Sequence, residues 1–325
     1  MKAVVLNKPC EAKEMRISEV PVPVVKPGWV LIRVKAFGIN HSEVLLRQFE
    51  VAQSYISKPV IPGIECVGEV VDASDSRFHN GEKVMALMGG MGRSFNGSYA
   101  EYALLPASHV FSVSSSLDWD ELAAIPETFY TAYGSLILSL QLCRDDTLLI
   151  RGGSSTVGLA AIQLAKAIGA HVIATTRSES KSRILLASGA DDVILEGEDF
   201  LKRFLCRYPS GATKVLELIG ASTLPQSLRL TARHGIVCHT GLLGGVYSLK
   251  DFDPIKEIPS GVYLTGFYSN TPSQREIDDM MRLIDTNLIH PVVARKYSLS
   301  EISEAHELAE QRGQIGKIVV VNEGE

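Results

Sequence analysis

Residues 151–158 read Arg151-Gly152-Gly153-Ser154-Ser155-Thr156-Val157-Gly158, a glycine turn set between two apolar runs. Leu148-Leu149-Ile150 precede it as a strand, and 159–168 follow as a helix that Gly169 is suited to cap. Strand, glycine turn and helix in this order suit a pyrophosphate. The turn must be tight, the backbone must approach the phosphate without side-chain bulk, and the helix must aim its free N–H groups at the anion. Gly153 and Gly158 fill the first and third positions of G-x-G-x-x-G, while Ser155 stands at the second. Hydroxyls of Ser154, Ser155 and Thr156 can donate to phosphate, so Ser155 marks either an adapted phosphate site or a weakened one. Gly153, Ser154, Ser155, Thr156, Val157 and Gly158 are the expected cofactor contacts of this loop.

A second chemical signal follows the next strand, 171–175. An NAD enzyme places a carboxylate here, roughly 20 residues past the glycines, to bind the ribose 2′-hydroxyl. This chain instead has Thr176-Arg177-Ser178 and then Lys181, with no carboxylate before Glu179. A guanidinium, an ammonium and two hydroxyls suit a 2′-phosphate, which predicts NADP(H) over NAD(H), with Glu179 the one feature that argues the other way.

These residues need a parallel sheet to position them. From residue 147 onward, β-branched runs at 147–150, 171–175, 192–195, 214–219, 235–240 and 262–265 alternate with helical stretches, the pattern of βαβ units. The preceding region is rich in Val, Gly and Pro with short alternating segments such as 30–35 and 68–71, and reads as a small barrel-like β domain. Helical stretches at 273–287 and 300–311 and strand-like runs at 292–297 and 317–321 complete the chain. The fold class expected is α/β.

Composition bounds what such a protein does. A chain of 325 residues fits two domains, and its 46% apolar and 21% charged residues are those of an ordinary globular protein. The formal charge of −5 argues against nucleic acid or an anionic membrane as partner. The N-terminal apolar run is too short for a signal peptide and no window approaches a membrane span, so a cytoplasmic protein is expected. Five cysteines at wide spacings, without a C-x-x-C pair, read as reduced core thiols.

Six separated segments carry a family resemblance. They are Phe37-Gly38-Ile39-Asn40, Ile61-Pro62-Gly63-Ile64-Glu65-Cys66-Val67-Gly68, Gly97-Ser98-Tyr99-Ala100-Glu101-Tyr102, the stretch 124–133, the stretch 157–166 and Gly316-Lys317-Ile318-Val319. In this order they resemble the zinc-free quinone oxidoreductase branch of the medium-chain dehydrogenase/reductase superfamily. The resemblance implies a GroES-like β-rich catalytic domain, discontinuous over 1–121 and 266–325, and a Rossmann doubly wound parallel sheet over 122–265 that binds NADP(H). It also implies a homo-oligomer, dimer or tetramer.

In the zinc alcohol dehydrogenases of that superfamily, the catalytic ligands fall at positions matching Asn40, Ile64 and Glu127. Isoleucine cannot coordinate a cation, and one plausible ligand is not three, so no metal is expected. Without a Lewis acid, acceptors that spread charge by conjugation are favoured, and the expected function is NADPH-dependent hydride transfer to a quinone or an α,β-unsaturated carbonyl. The resemblance gives Asn40 and Tyr55 as candidate catalytic donors. It gives Tyr130, Thr131, Gly241, Leu242, Leu243, Phe267 and Tyr268 as cofactor contacts beyond the glycine loop. Asn40 is also an ordinary turn former, Tyr99 reads as barrel packing, and His41 as structural. The competing functions are a non-catalytic NADP(H)-binding protein, an acyl-thioester enoyl reductase and, more distantly, a zinc alcohol dehydrogenase.

Overall fold

Two sheets of different character organise the chain, as expected for an α/β protein with a β-rich partner domain. A computed structural model describes residues 1–311 and 313–322. These form two compact units: residues 1–127 with 270–285 and 290–322, and residues 128–269 with 286–289. Among the described residues, no helix is long and apolar enough to cross a membrane.

The second unit holds six strands, all paired in parallel. Across the sheet they run Asp192–Leu195, His171–Thr176, Thr147–Arg151, Ala212–Glu217, Thr231–His239 and Tyr263–Gly266. Numbered along the chain this is 3-2-1-4-5-6, the Rossmann order, whose direction of progression reverses between the first and fourth strands. There Arg151 pairs in register with Glu217. Leu149, Ile173, Val215 and Val237 from four adjacent strands bury one face against Phe200, Phe204 and Leu228 of the crossover helices. Strands covered on both faces explain the near-continuous apolar runs in the sequence.

The first unit holds a mostly antiparallel sheet of seven strands, made from segments that precede and follow the parallel-sheet unit in sequence. In order they are Val293–Ser298, Lys317–Val321, Trp29–Ile39, Glu65–Asp72, Lys83–Leu87 and Val110–Ser112, with Tyr102–Pro106 also pairing to Trp29–Ile39. Lys317–Val321 runs antiparallel to Trp29–Ile39, with Ile318 opposite Ile39 and Val320 opposite Phe37. Val30, Ile32, Val34, Phe37, Ile318 and Val320 share one core with Tyr99, whose ring stacks on Phe37 at 4.6 Å. Tyr99 is thus barrel packing.

Three fully buried polar side chains lock the helix Ile302–Glu310 to this core. Arg47 donates from Nε to His306 Nδ1 at 3.4 Å, donates to the Cys10 carbonyl and pairs with Glu310. Because Nδ1 accepts from Arg47, the ring proton sits on Nε2, which faces the Tyr99 hydroxyl at 3.0 Å. This arrangement has no room for a second proton. Burial, reinforced by the Arg47 charge, pushes the His306 pKa down to about 3.

In the unfolded chain this histidine binds a proton below roughly pH 6.5, whereas in the folded protein it stays neutral until about pH 3. Protonation in that window favours the unfolded state, so stability falls as pH drops from about 6.5 toward 3, by up to about 1.4 kcal/mol per pH unit. Denaturant titrations across this range are expected to show a shallower acid loss for His306→Gln than for the natural protein. Parallel curves would refute the assignment.

Candidate active site

At the end of the first parallel strand, Gly152 adopts φ +82°, which a glycine takes without strain, and the chain turns into the helix Thr156–Ile168. Gly158 permits the turn to close. A Cβ there would lie 2.5 Å from the Gly152 carbonyl oxygen and 2.6 Å from that of Gly153, so only hydrogen fits. Gly153 donates to the Thr175 carbonyl at 3.0 Å, and Gly152 to the Thr175 hydroxyl at 3.2 Å, which ties the loop to the end of the second strand.

Ser155 has a defined task in this turn. It is the helix N-cap, its hydroxyl donating to the Gly152 carbonyl at 2.8 Å and accepting from the Gly158 N–H at 3.0 Å. Its one hydroxyl proton is therefore engaged inside the loop. The first-turn N–H groups of Thr156 and Val157 have no acceptor within the helix, and they carry the positive end of its dipole. Such a terminus attracts an anion.

Beneath the loop lies an ionic cluster that sequence reasoning missed. Arg151, 1% exposed, grips Glu196 with two hydrogen bonds of 2.9 and 2.5 Å and reaches the Ser227 hydroxyl at 3.2 Å. Thr175 donates to the same Glu196 at 2.8 Å. Glu217, fully buried, accepts from the N–H groups of Ile219 and Gly220 at 2.7 and 3.0 Å and from the Ser227 hydroxyl. The available signal was a charged residue closing each of three apolar strands.

At the end of the second strand, Thr176 is buried and its hydroxyl accepts from the Ser178 N–H at 3.2 Å. The Ser178 hydroxyl lies 2.7 Å from that of Ser180. Arg177 projects into solvent, and Lys181 is half-buried in the turn Glu179–Lys181. Near the other strand ends, Tyr130 is buried and meets the Phe267 ring edge-on at 5.7 Å. Thr131 follows it on the same helix, Pro126–Tyr133. Gly241 passes so close to Leu218 that a Cβ would fall 2.2 Å from its carbonyl oxygen, whereas Leu242, Leu243 and Tyr268 are exposed.

The first unit gathers a separate polar cluster. Asn40 precedes the helix His41–Gln48 and donates from Nδ2 to Glu65 Oε1 at 2.8 Å. Lys317, only 2% exposed, places Nζ 2.6 Å from the Asn40 amide oxygen and 2.6 Å from Glu65 Oε1. The other Glu65 oxygen accepts from the Glu127 N–H at 2.7 Å. Glu43 receives the N–H groups of Asn40 and Ile64, each at 3.0 Å, and its pKa is raised by burial and then by the neighbouring Glu65. Both amide groups of Asn40 are thereby oriented, and one N–H remains beyond the bond to Glu65.

Glycines hold this cluster in place. At Gly63 a Cβ would strike the Ser98 hydroxyl at 2.2 Å, and at Gly97 it would strike the Gly63 carbonyl oxygen at 2.1 Å. Glu65 itself starts the strand Glu65–Asp72 two residues later. Tyr55 stands apart, 62% exposed, and among the described residues it makes no hydrogen bond to Asn40. Its segment is tethered by Arg93, which binds Glu50 at 2.8 Å and the Ser42 carbonyl at 3.2 Å. Lys317 was legible only as an odd cation in the run Lys-Ile-Val-Val-Val.

The residues at the family's zinc positions do not fit that metal. Ile64 is aliphatic and buried, and the Asn40 amide oxygen is taken by an ammonium. Among the described residues, no three His, Cys, Asp or Glu side chains are arranged to hold a metal ion.

The chain is similar to known proteins over nearly its whole length. The alcohol dehydrogenase GroES-like domain family matches residues 26–115, and the zinc-binding dehydrogenase family matches 156–286. The chain is 29% identical to the quinone oxidoreductase of Homo sapiens over 315 residues, covering 94% of this chain and 92% of that protein. The crystal structure of AibC is similar with a TM-score of 0.91 at 30% identity, over 100% of this chain and 96% of that one. The crystal structure of an NAD-dependent alcohol dehydrogenase is similar with a TM-score of 0.87 at 28% identity, over 99% and 100% of the two chains.

An N-cap role for Ser155 is directly measurable. Ser155→Ala is expected to lower stability by about 1 kcal/mol and Ser155→Gly by only a few tenths, as read by denaturant midpoints. Equal effects of the two substitutions would show that the hydroxyl does not cap.

Proposed function

The chain belongs to the quinone oxidoreductase branch of the medium-chain dehydrogenase/reductase superfamily, and from that premise we propose that this oxidoreductase is a zinc-independent, NADPH-dependent reductase of quinones or α,β-unsaturated carbonyls. The observation that carries the reading is the glycine turn at the point where the strand order reverses, opening onto a helix whose first N–H groups have no acceptor within the helix. Thr156 and Val157 would receive the pyrophosphate there, with Gly153 and Gly158 letting the turn close and Ser154 beside it in the loop. Arg177, Ser178 and Lys181, with Thr176 shaping the turn, would face the 2′-phosphate. Arg177 suits that task because it is exposed and no carboxylate immediately follows the strand. Tyr130, Thr131, Gly241, Leu242, Leu243, Phe267 and Tyr268 would flank the nicotinamide.

A bound nicotinamide supplies a hydride, and the protein must then stabilise negative charge on the acceptor's oxygen. Asn40 is suited to this. The Lys317 ammonium draws on its carbonyl oxygen, which polarises the amide and makes its remaining N–H a stronger donor. Glu65 fixes the direction of that N–H by holding the other one. The phenol of Tyr55 is exposed and available as a second donor. A conjugated acceptor needs only such hydrogen-bond donors, because its own π system carries much of the charge.

Two measurements test the reading. Fluorescence titration is expected to show tighter binding of NADPH than of NADH, a preference that collapses in Arg177→Ala with Lys181→Ala. Equal affinity for both nucleotides would remove the 2′-phosphate assignment. In steady-state assays with a quinone or a small enone, Asn40→Ala is expected to lower kcat about 100-fold with NADPH affinity intact. An unchanged kcat would remove Asn40 as the donor.

A further inference from the structure

The helix that carries Tyr130 and Thr131 does not end regularly. After Tyr133 it widens into a π-helical turn, Gly134–Ser139, in which the Leu140 N–H reaches back five residues to the Ser135 carbonyl at 2.9 Å. Such turns forgo the ordinary helical hydrogen-bond register, and they concentrate at functional sites. Here the two residues that open the turn, Gly134 and Ser135, are fully buried.

Gly134 makes room for one aromatic ring. A Cβ at this position would lie 1.9, 2.2 and 2.5 Å from the Cζ, Cε2 and Cε1 atoms of Phe267. The ring rests where a side chain would otherwise be, and Tyr130, four residues earlier on the same helical face, closes the contact edge-on at 5.7 Å. Ser135 joins two further segments. Its hydroxyl donates to the Thr131 carbonyl at 2.7 Å, so the Thr240 hydroxyl at 2.9 Å must be the donor to Ser135. Thr240 directly precedes Gly241. In the same turn the Ser139 hydroxyl donates to the Gly266 carbonyl at 3.2 Å, one residue before Phe267.

We propose that Gly134 and Ser135 are positioning residues for the nicotinamide end of the cofactor, setting the mutual register of the segments at 130–131, 240–241 and 266–267. The inference rests on the cofactor reading above, which places the nicotinamide against those segments. It adds that their arrangement is fixed from behind by a single π turn. The adenosine end, held by the glycine loop and the residues after the second strand, is independent of that turn.

The test compares NADPH with 2′,5′-ADP, which carries the adenosine end and lacks nicotinamide. In Gly134→Ala the three atoms nearest the new methyl all belong to the far end of the half-buried Phe267 side chain, so displacement of that ring is the expected response. NADPH is expected to bind about tenfold more weakly, the size of effect seen when a methyl enters a filled contact, while 2′,5′-ADP affinity stays within about twofold. Unchanged NADPH binding or equal loss of both ligands would overturn the proposal. If Gly134→Ala does not fold, Ser135→Ala carries the same comparison, and it must show the same split between ligands. Failure of the natural protein to bind either ligand would instead overturn the cofactor reading itself, and the inference with it.

Discussion

Taking an ammonium out of water costs several kcal/mol unless an opposite charge meets it with good geometry, and Lys317 is fully enclosed. Glu65 meets it, and most of the first unit follows from that pairing. Lys317 begins one strand and Glu65 begins another, and both flank Trp29–Ile39. The ion pair therefore fixes the ends of three adjacent strands at one point. Asn40 follows immediately after the middle strand, and its amide bonds both partners. Gly38 records how crowded this point is, since a Cβ there would fall 2.2 Å from the Lys317 side chain and 2.6 Å from Glu65. A group so constrained has little freedom to reorient, and that is what a hydrogen-bond donor to a developing anion requires.

The second unit solves the same electrostatic problem differently. Arg151 and Glu217 close neighbouring strands, and Glu196 follows a third, so the charges meet at the carboxyl end of the sheet, just below the turn that faces the helix terminus. Their hydrogen bonds engage the N–H groups of Ile219 and Gly220 and the hydroxyls of Thr175 and Ser227. The first N–H groups of the helix Thr156–Ile168 have no acceptor within the helix, and the ionic cluster is occupied by its own partners.

Much of this was legible in the sequence because it depends on local periodicity. The six parallel strands, the glycine turn and the C-capping Gly169, with φ +96°, follow from spacing alone. Boundaries moved where side chains intervene. The apolar Leu218 and Ile219 read as strand, yet the strand stops at Glu217, whose carboxylate captures the next N–H groups and turns the chain. The following strand begins at Thr231 rather than near 235, through a register shift opposite Ala212 and a left-handed His234, φ +68°, which its polar start conceals. Ser155 looked like a departure from the glycine pattern, but its hydroxyl spans the turn and caps the helix. The roles of Lys317 and Arg151 were not legible, because a charged residue in an apolar run does not name its partner. The bond from Lys317 to Asn40 joins positions 277 apart.

That separation also bears on synthesis. The stretch Ala36–Ile39 is almost wholly apolar, and one of its edges is paired by Ile318–Val321, beyond the entire nucleotide-binding unit. The parallel sheet draws all six of its strands from one uninterrupted segment and can be completed while the polypeptide is still growing. The barrel half must meanwhile wait with an unpaired edge, the kind of surface on which nascent chains pair with one another. Lys317 is then the residue that ends the wait. Its arrival brings the counter-charge to Glu65 and the missing strand to the sheet together, so folding of the first unit is completed from its far end.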